Sequence, residues 1–448
     1  MIAARTLLAA LAALLLAAAP ALAANKVQKV VSPGGITAWL IEDHSLPVVS
    51  VQIAFRGGSA LDPPGKSGLA ELTVDLLDEG AGDLDSEAFQ GKVEDLASSL
   101  DFDADEDDLS ATLRSITANL APSLDLLHLA LTAPRFDASA VARVRAQLLS
   151  DLERQQREPR YIASRTWFRN AFGDHPYARP RQGTQDDIAR IGVDDMRALV
   201  KRRFAKDNLI IGVVGDIAPD RLKTLLDSTF GDLPAHAAPV TVPEVTASAK
   251  APLLLVRMPI PQSVVTFGEP GIKRDDPDWY AAYLVNDILG GGGFSSRLTE
   301  EVRVKRGLAY SVYSGLAPLR HSGLILGSVA TENSRVAESI DIIRAEWKRM
   351  QEAGPTAEEL ADAKTYLTGS FALGLDSTVR LAAILVEIQR DGLGIDYLDR
   401  RNALIDGVTL AEAKRVAHRL LDPSKLSFVV VGSPSSLPGA KEVPANGS

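Results

Sequence analysis

The chain has 448 residues, of which 46% are hydrophobic and 24% charged, with a net charge of −10 and no cysteine. That length exceeds one ordinary core and suits two domains of about 200 residues each, and the composition is that of a soluble globular protein. The acidic balance argues against a nucleic-acid partner, and the lack of cysteine excludes disulfides, thiolate metal ligands, a cysteine nucleophile and a lipidated N-terminal cysteine.

Residues 1–23 read as a secretory signal peptide. Arg5 is the positive start, Leu7 to Ala19 the apolar stretch, and Ala21-Leu22-Ala23 a small-x-small cleavage signal. Cleavage removes Arg5 and takes the net charge from −10 to −11. The implied destination is the periplasm. No other segment is apolar for long enough to span a membrane.

Residues 24–233 form the first predicted domain. It opens with an alternating strand, Val48 to Phe55, followed by a Gly/Pro turn and a helix beginning at Gly68. The acidic run Asp101 to Asp108 (DFDADEDD) alternates with apolar residues and predicts a hairpin with a wet face. It lacks the glycine and terminal glutamate that a calcium loop needs. A helix is predicted from Ser139 to Gln155, and the domain closes on a strand ending in glycine, Asn208 to Gly215. Residues 234–251, rich in Pro and Ala, read as an extended linker.

Residues 252–440 repeat the order. A strand at Ser263 to Phe267 leads through a Gly/Pro/Asp turn into an apolar helix, and Lys425 to Gly432 is again a strand ending in glycine. Capping boxes at Thr356/Glu359 and Thr409/Glu412 start two helices. Strands grouped with helices predict an α+β class: two homologous domains, each a largely antiparallel sheet with helices packed on one face. The cleft between the halves is the default ligand site.

Residues 286–316, NDILGGGGFSSRLTEEVRVKRGLAYSVYSGL, resemble the C-terminal-domain signature of the pitrilysin/insulinase metallopeptidases, the group that includes mitochondrial processing peptidase. LPVVSVQIAFRGGSALDPPGKSGLAEL sits where that family has its first strand, its Gly-rich turn and its catalytic helix. The resemblance runs from about Val30 to Gly432. It implies an inverted zinc motif, H-x-x-E-H, on the helix after the first turn, with a further glutamate 76 residues on. Here Glu71 and Asp75 stand at the histidine positions, Val74 at the base, and Asp151 at the distant ligand position. All six histidines lie elsewhere, each isolated. Three carboxylates suit a hard ion better than zinc, but valine cannot accept a proton, so hydrolysis would lack its base. The simpler expectation is an apolar stripe (Leu69, Leu72, Leu76) in the core and solvated carboxylates opposite.

The resemblance also implies an arginine and a tyrosine, seven residues apart, that complete the active site. These are Arg303 and Tyr310, and Gly291, Gly292 and Phe294 form the substrate-facing turn beside them. A phenol hydroxyl and a guanidinium stabilise the oxyanion formed when a peptide carbonyl is attacked. A chain that keeps this pair and loses zinc looks like a cofactor-free subunit that acts on a homologous, zinc-bearing partner with an intact H-x-x-E-H, in peptide hydrolysis. A non-catalytic peptide-binding or structural module, and an enzyme with a carboxylate-bound ion, stay open.

Overall fold

The computed structural model describes residues 26–445, and the signal-peptide expectation falls outside them. In the first half the strands are β1 (Gln28–Val31), β2 (Thr37–Glu42), β3 (Val48–Arg56), a short hairpin β4 (Gly80–Ala81) and β5 (Leu84–Asp85), β6 (Ser99–Ala104), β7 (Asp108–Ile116) and β8 (Leu209–Gly215). Its helices are α1 (Leu69–Val74), α2 (Ser86–Asp95), α3 (Leu120–Thr132), α4 (Ala138–Gln155), α5 (Pro159–Phe172), α6 (Gln185–Arg190), α7 (Val193–Arg203) and α8 (Pro219–Phe230). The second half has β9 (Leu253–Arg257), β10 (Gln262–Pro270), β11 (Ala309–Leu319), β12 (Ser322–Glu332), β13 (Ser427–Gly432) and β14 (Lys441–Glu442). Its helices are α9 (Trp279–Asn286), α10 (Val336–Ala353), α11 (Ala357–Phe371), α12 (Thr378–Arg390), α13 (Tyr397–Asp406) and α14 (Leu410–Leu420).

The sheets run β1-β2-β8-β3-β7-β6 and β14-β9-β13-β10-β12-β11. In each, the first strand of the long hairpin, β6 before β7 and β11 before β12, lies at an edge, and the glycine-ended strand from the end of the half sits inside the sheet. Pairing is antiparallel except at β2–β8, β9–β13 and β9–β14. Both predicted capping boxes form, with Thr356 and Thr409 each accepting from the N3 amide and Glu359 and Glu412 each accepting from the cap amide.

One face of each sheet carries its own half's helices over the main apolar core. The opposite face takes a single helix from the other half. α5 lies on β10 and β13 through Ile162, Trp167 and Phe172, and α12 lies on β3 and β8 through Leu381 and Leu385. Both exchanged helices need a bare spot beneath them. A Cβ on Gly268 would lie 2.8 Å from the Trp167 ring, and one on Gly212 would lie 2.5 Å from the Ala382 carbonyl. Residues 237–249 have no regular structure and run against α5, with the Ser248 amide donating to the Ala171 carbonyl at 2.8 Å.

The acidic hairpin turn is where the sequence expectation needs correcting. Asp101 and Asp103 face solvent, but the turn itself is a clamp between the halves. Asp107 accepts from the Tyr177 hydroxyl at 2.7 Å and from the Arg320 amide at 2.9 Å. Asp108, only 3% exposed, accepts from the guanidinium of Arg320 at 3.1 Å and of Arg390 at 3.4 Å. A carboxylate is tolerated at such depth only with cations beside it. Here they come from the other half, which sequence order gave no means of pairing.

Candidate functional site

Gly68 enters α1 in the left-handed conformation, with φ at 89°, and Asp62 caps the helix by accepting from the amides of Gly68 and Ala70 at 2.8 and 3.0 Å. All six residues of α1 are buried. This overturns the expectation of a solvated carboxylate face. Glu71 is 7% exposed, and its carboxylate faces Arg181 Nε at 3.6 Å and accepts from Gln182 Nε2 at 3.1 Å. Arg181 also lies 3.9 Å from Asp103. Burial raises the Glu71 carboxyl above its usual range, while Arg181 and Gln182 pull against that. Burial, with Glu71, Asp78 and Asp103 nearby, pushes Asp75 up to about 7.

These residues do not fit zinc. The guanidinium of Arg181 supplies the positive charge beside Glu71, Val74 is apolar, and Asp151 pairs with Arg154 on its own helix at 2.9 Å. Among the described residues no group of three or more His, Asp or Glu side chains could hold a metal ion.

The titration of Asp75 gives a test. Its ordinary value is 3.8 and its folded value about 7, so the folded chain binds more protons than the unfolded one between those limits. Stability contributed by this group is present below about pH 4 and is lost as the pH rises through about 7. Asp75→Asn should therefore stabilise the chain at pH 8 by on the order of 1 kcal/mol and flatten the decline, read as urea midpoints across that range. An unchanged profile would contradict the burial of this carboxylate.

In the second half Arg303 and Tyr310 come together, and the glycine turn packs on the strand that carries Tyr310. α9 continues as a π-helical turn, Asp287–Gly291, that packs on β11. Asn286 ties it there: its Nδ2 donates to the Ser314 carbonyl at 3.1 Å and its Oδ1 accepts from the Ser314 hydroxyl at 2.9 Å. A Cβ on Gly290 would lie 2.3 Å from the Ser314 Oγ, so this approach requires glycine. Gly291 closes the turn and the Gly292 amide donates to the Asp287 carbonyl at 2.7 Å. Arg303 lies on a second π-helical stretch, Thr299–Val304, and Tyr310 near the start of the edge strand β11. The guanidinium carbon of Arg303 sits 4.8 Å from the centre of the Tyr310 ring, a cation–π contact. Tyr310 is 84% exposed, and Tyr313 and Val304 are exposed near it in sequence.

The cavity at the junction of the halves, about 450 Å³, is lined by charged residues including Arg56, Asp105, Asp108, Arg320 and Arg390. Neither the Arg303–Tyr310 pair nor Glu71 and Asp75 belong to it. This part of the cleft expected to hold a ligand is thus lined by the residues of the clamp. Sequence reasoning missed Arg181 and Gln182, whose only signal was a local run of arginine and glutamine after a Pro-rich turn.

Two family models match the chain: one described as Insulinase (Peptidase family M16), over residues 37–185, and one described as Peptidase M16 inactive domain, over residues 190–367. A curated relative from Helicobacter pylori, the non-peptidase homolog YmxG, is 31% identical over 73% of this chain and 76% of its own length. An uncharacterized zinc protease of Streptomyces coelicolor is 27% identical over 79% of this chain and 78% of its own. The crystal structure of a peptidase M16 inactive domain from Pseudomonas fluorescens is 30% identical, with a TM-score of 0.86, and covers 93% of this chain and 100% of its own.

Proposed function

We propose a role that rests on the chain's family: it belongs to the insulinase peptidases (M16), as an inactive, non-peptidase homologue. In that role it is the zinc-free subunit of a heteromeric metallopeptidase of the periplasm. It supplies Arg303 and Tyr310 to the active site of a homologous partner, and that partner carries the intact H-x-x-E-H and the zinc.

One observation carries this reading. The chain holds an arginine over an 84% exposed tyrosine, while its own zinc positions are closed by Arg181. A guanidinium held over the ring of an exposed tyrosine offers, with that ring's hydroxyl, two donors of the kind that suit the oxygen of a peptide carbonyl under attack, and an exposed pair can reach a site on another chain. The glycine turn at Gly291 and Gly292 lies against the same strand, and Phe294 comes two residues later in sequence. Extended peptides would be held by adding a strand to an open sheet edge, for which β6 and β11 are available. No helix among the described residues is long and apolar enough to cross a membrane.

Purified alone, the chain should hold far less than one zinc per molecule and cleave no peptide. Elemental analysis and a peptidase assay on the same sample check this. One tightly held zinc per chain, or turnover without a partner, would contradict the assignment.

A further inference from the structure

A second cavity, of about 340 Å³, lies between α5 and the segment 177–182. Neither Arg303 nor Tyr310 lines it, and it borders the clamp between the halves through Tyr177 and Glu106. Three of its lining residues each carry a buried polar atom that no described residue satisfies: Arg165 Nη1, Arg179 Nε and Gln155 Oε1. A buried donor or acceptor left unpaired costs about 1–3 kcal/mol, so native interiors hold few of them. Three around one cavity are the pattern a bound ligand completes.

The missing halves have a specific chemistry. Arg179 already donates from Nη1 to the Asp62 carbonyl at 2.6 Å and from Nη2 to the Ala60 carbonyl at 2.8 Å, which leaves Nε. The Arg165 side chain makes no hydrogen bond or ion pair with any described residue. Arg181 adds a third guanidinium to the wall, and its own carboxylate neighbours stand at 3.6 and 3.9 Å, beyond hydrogen-bond range. Glu106 is the one acid among the lining residues. The wall therefore asks for an anionic acceptor, and Gln155 Oε1 asks for an N–H donor. Tyr161 and Phe168 offer apolar surface in the same cavity.

We propose that this cavity receives the C-terminal residue of a peptide. The carboxylate accepts from Arg165 and Arg179 Nε, the last peptide N–H donates to Gln155 Oε1, and the side chain lies against Tyr161 and Phe168. A free phosphate would meet the arginines but bring no N–H for Gln155. This site goes beyond the trans-acting role, and it needs neither a partner nor the Arg303–Tyr310 pair, so the two assignments fail independently.

The test uses the purified chain alone. N-acetyl-alanyl-leucine, its C-terminal amide and inorganic phosphate are titrated and followed by saturation-transfer NMR and calorimetry. The acid should bind at least about tenfold more tightly than the amide or phosphate, because a charge-assisted pair is lost in one and the N–H contact in the other. Arg165→Met should weaken the acid by about the same factor without lowering the melting temperature, since the side chain has no internal partner to lose. Should Arg165→Met fold poorly, Arg165→Gln reads the same loss. Equal binding of acid and amide, phosphate binding as tightly as the acid, no saturable binding of the acid, or indifference to both Arg165 substitutions would each overturn the proposal.

Discussion

Tyr310→Phe should lower the turnover of the assembled peptidase by about 10²- to 10³-fold, the usual loss when one oxyanion donor is deleted. The substitution removes one hydroxyl from a ring that is 84% exposed, so it leaves no cavity and no buried partner unpaired. The melting temperature of the chain and its assembly with a partner should be unchanged, which separates catalysis from folding. The Arg303 contact with the ring persists, because phenylalanine keeps the aromatic face. Arg303→Lys should also slow the complex, since an ammonium lacks the planar fork, and more of that loss should fall on KM. Turnover within about twofold of the parent after Tyr310→Phe, far short of an oxyanion donor's contribution, would leave the tyrosine a relic.

The second large effect concerns the exchange of helices. Trp167→Ala should destabilise the chain by about 3–5 kcal/mol, the range for emptying a large buried aromatic site. Trp167 is 1% exposed, and its ring lies against the second sheet at Gly268, although the residue belongs to the first half. The loss therefore falls on the coupling between halves as well as on one core. A single denaturant transition in the parent should split into two in the variant. A loss below about 1 kcal/mol would mean that α5 does not hold the halves together.

The duplicated order of elements was legible because each half spells the same pattern, from the strands at Val48 and Ser263 to the glycine-ended strands at Gly215 and Gly432. The meeting of Arg303 with Tyr310 was legible only through resemblance. Seven residues separate them across a π-helical stretch and a strand start, and no simple period predicts contact there. Three features were hidden in chain order. Nothing in the spacing of Ile162, Trp167 and Phe172 says which sheet they cover. The run DFDADEDD reads as a wet turn until Arg320 and Arg390 are brought to it from more than 200 residues away. Glu71 reads as solvated until Arg181 and Gln182 fold over it.

The most direct test of the central claim is reconstitution. A homologous subunit with an intact H-x-x-E-H, loaded with zinc, is assayed on an extended peptide while this chain is titrated in. Activity should be negligible for either protein alone and should rise to a plateau as the complex saturates. The same titration with Tyr310→Phe should saturate at the same concentration with a plateau about 10²- to 10³-fold lower. A zinc-bearing subunit that cleaves equally well without this chain, or a Tyr310→Phe plateau equal to the parent's, would contradict the claim that the second chain completes the first one's active site.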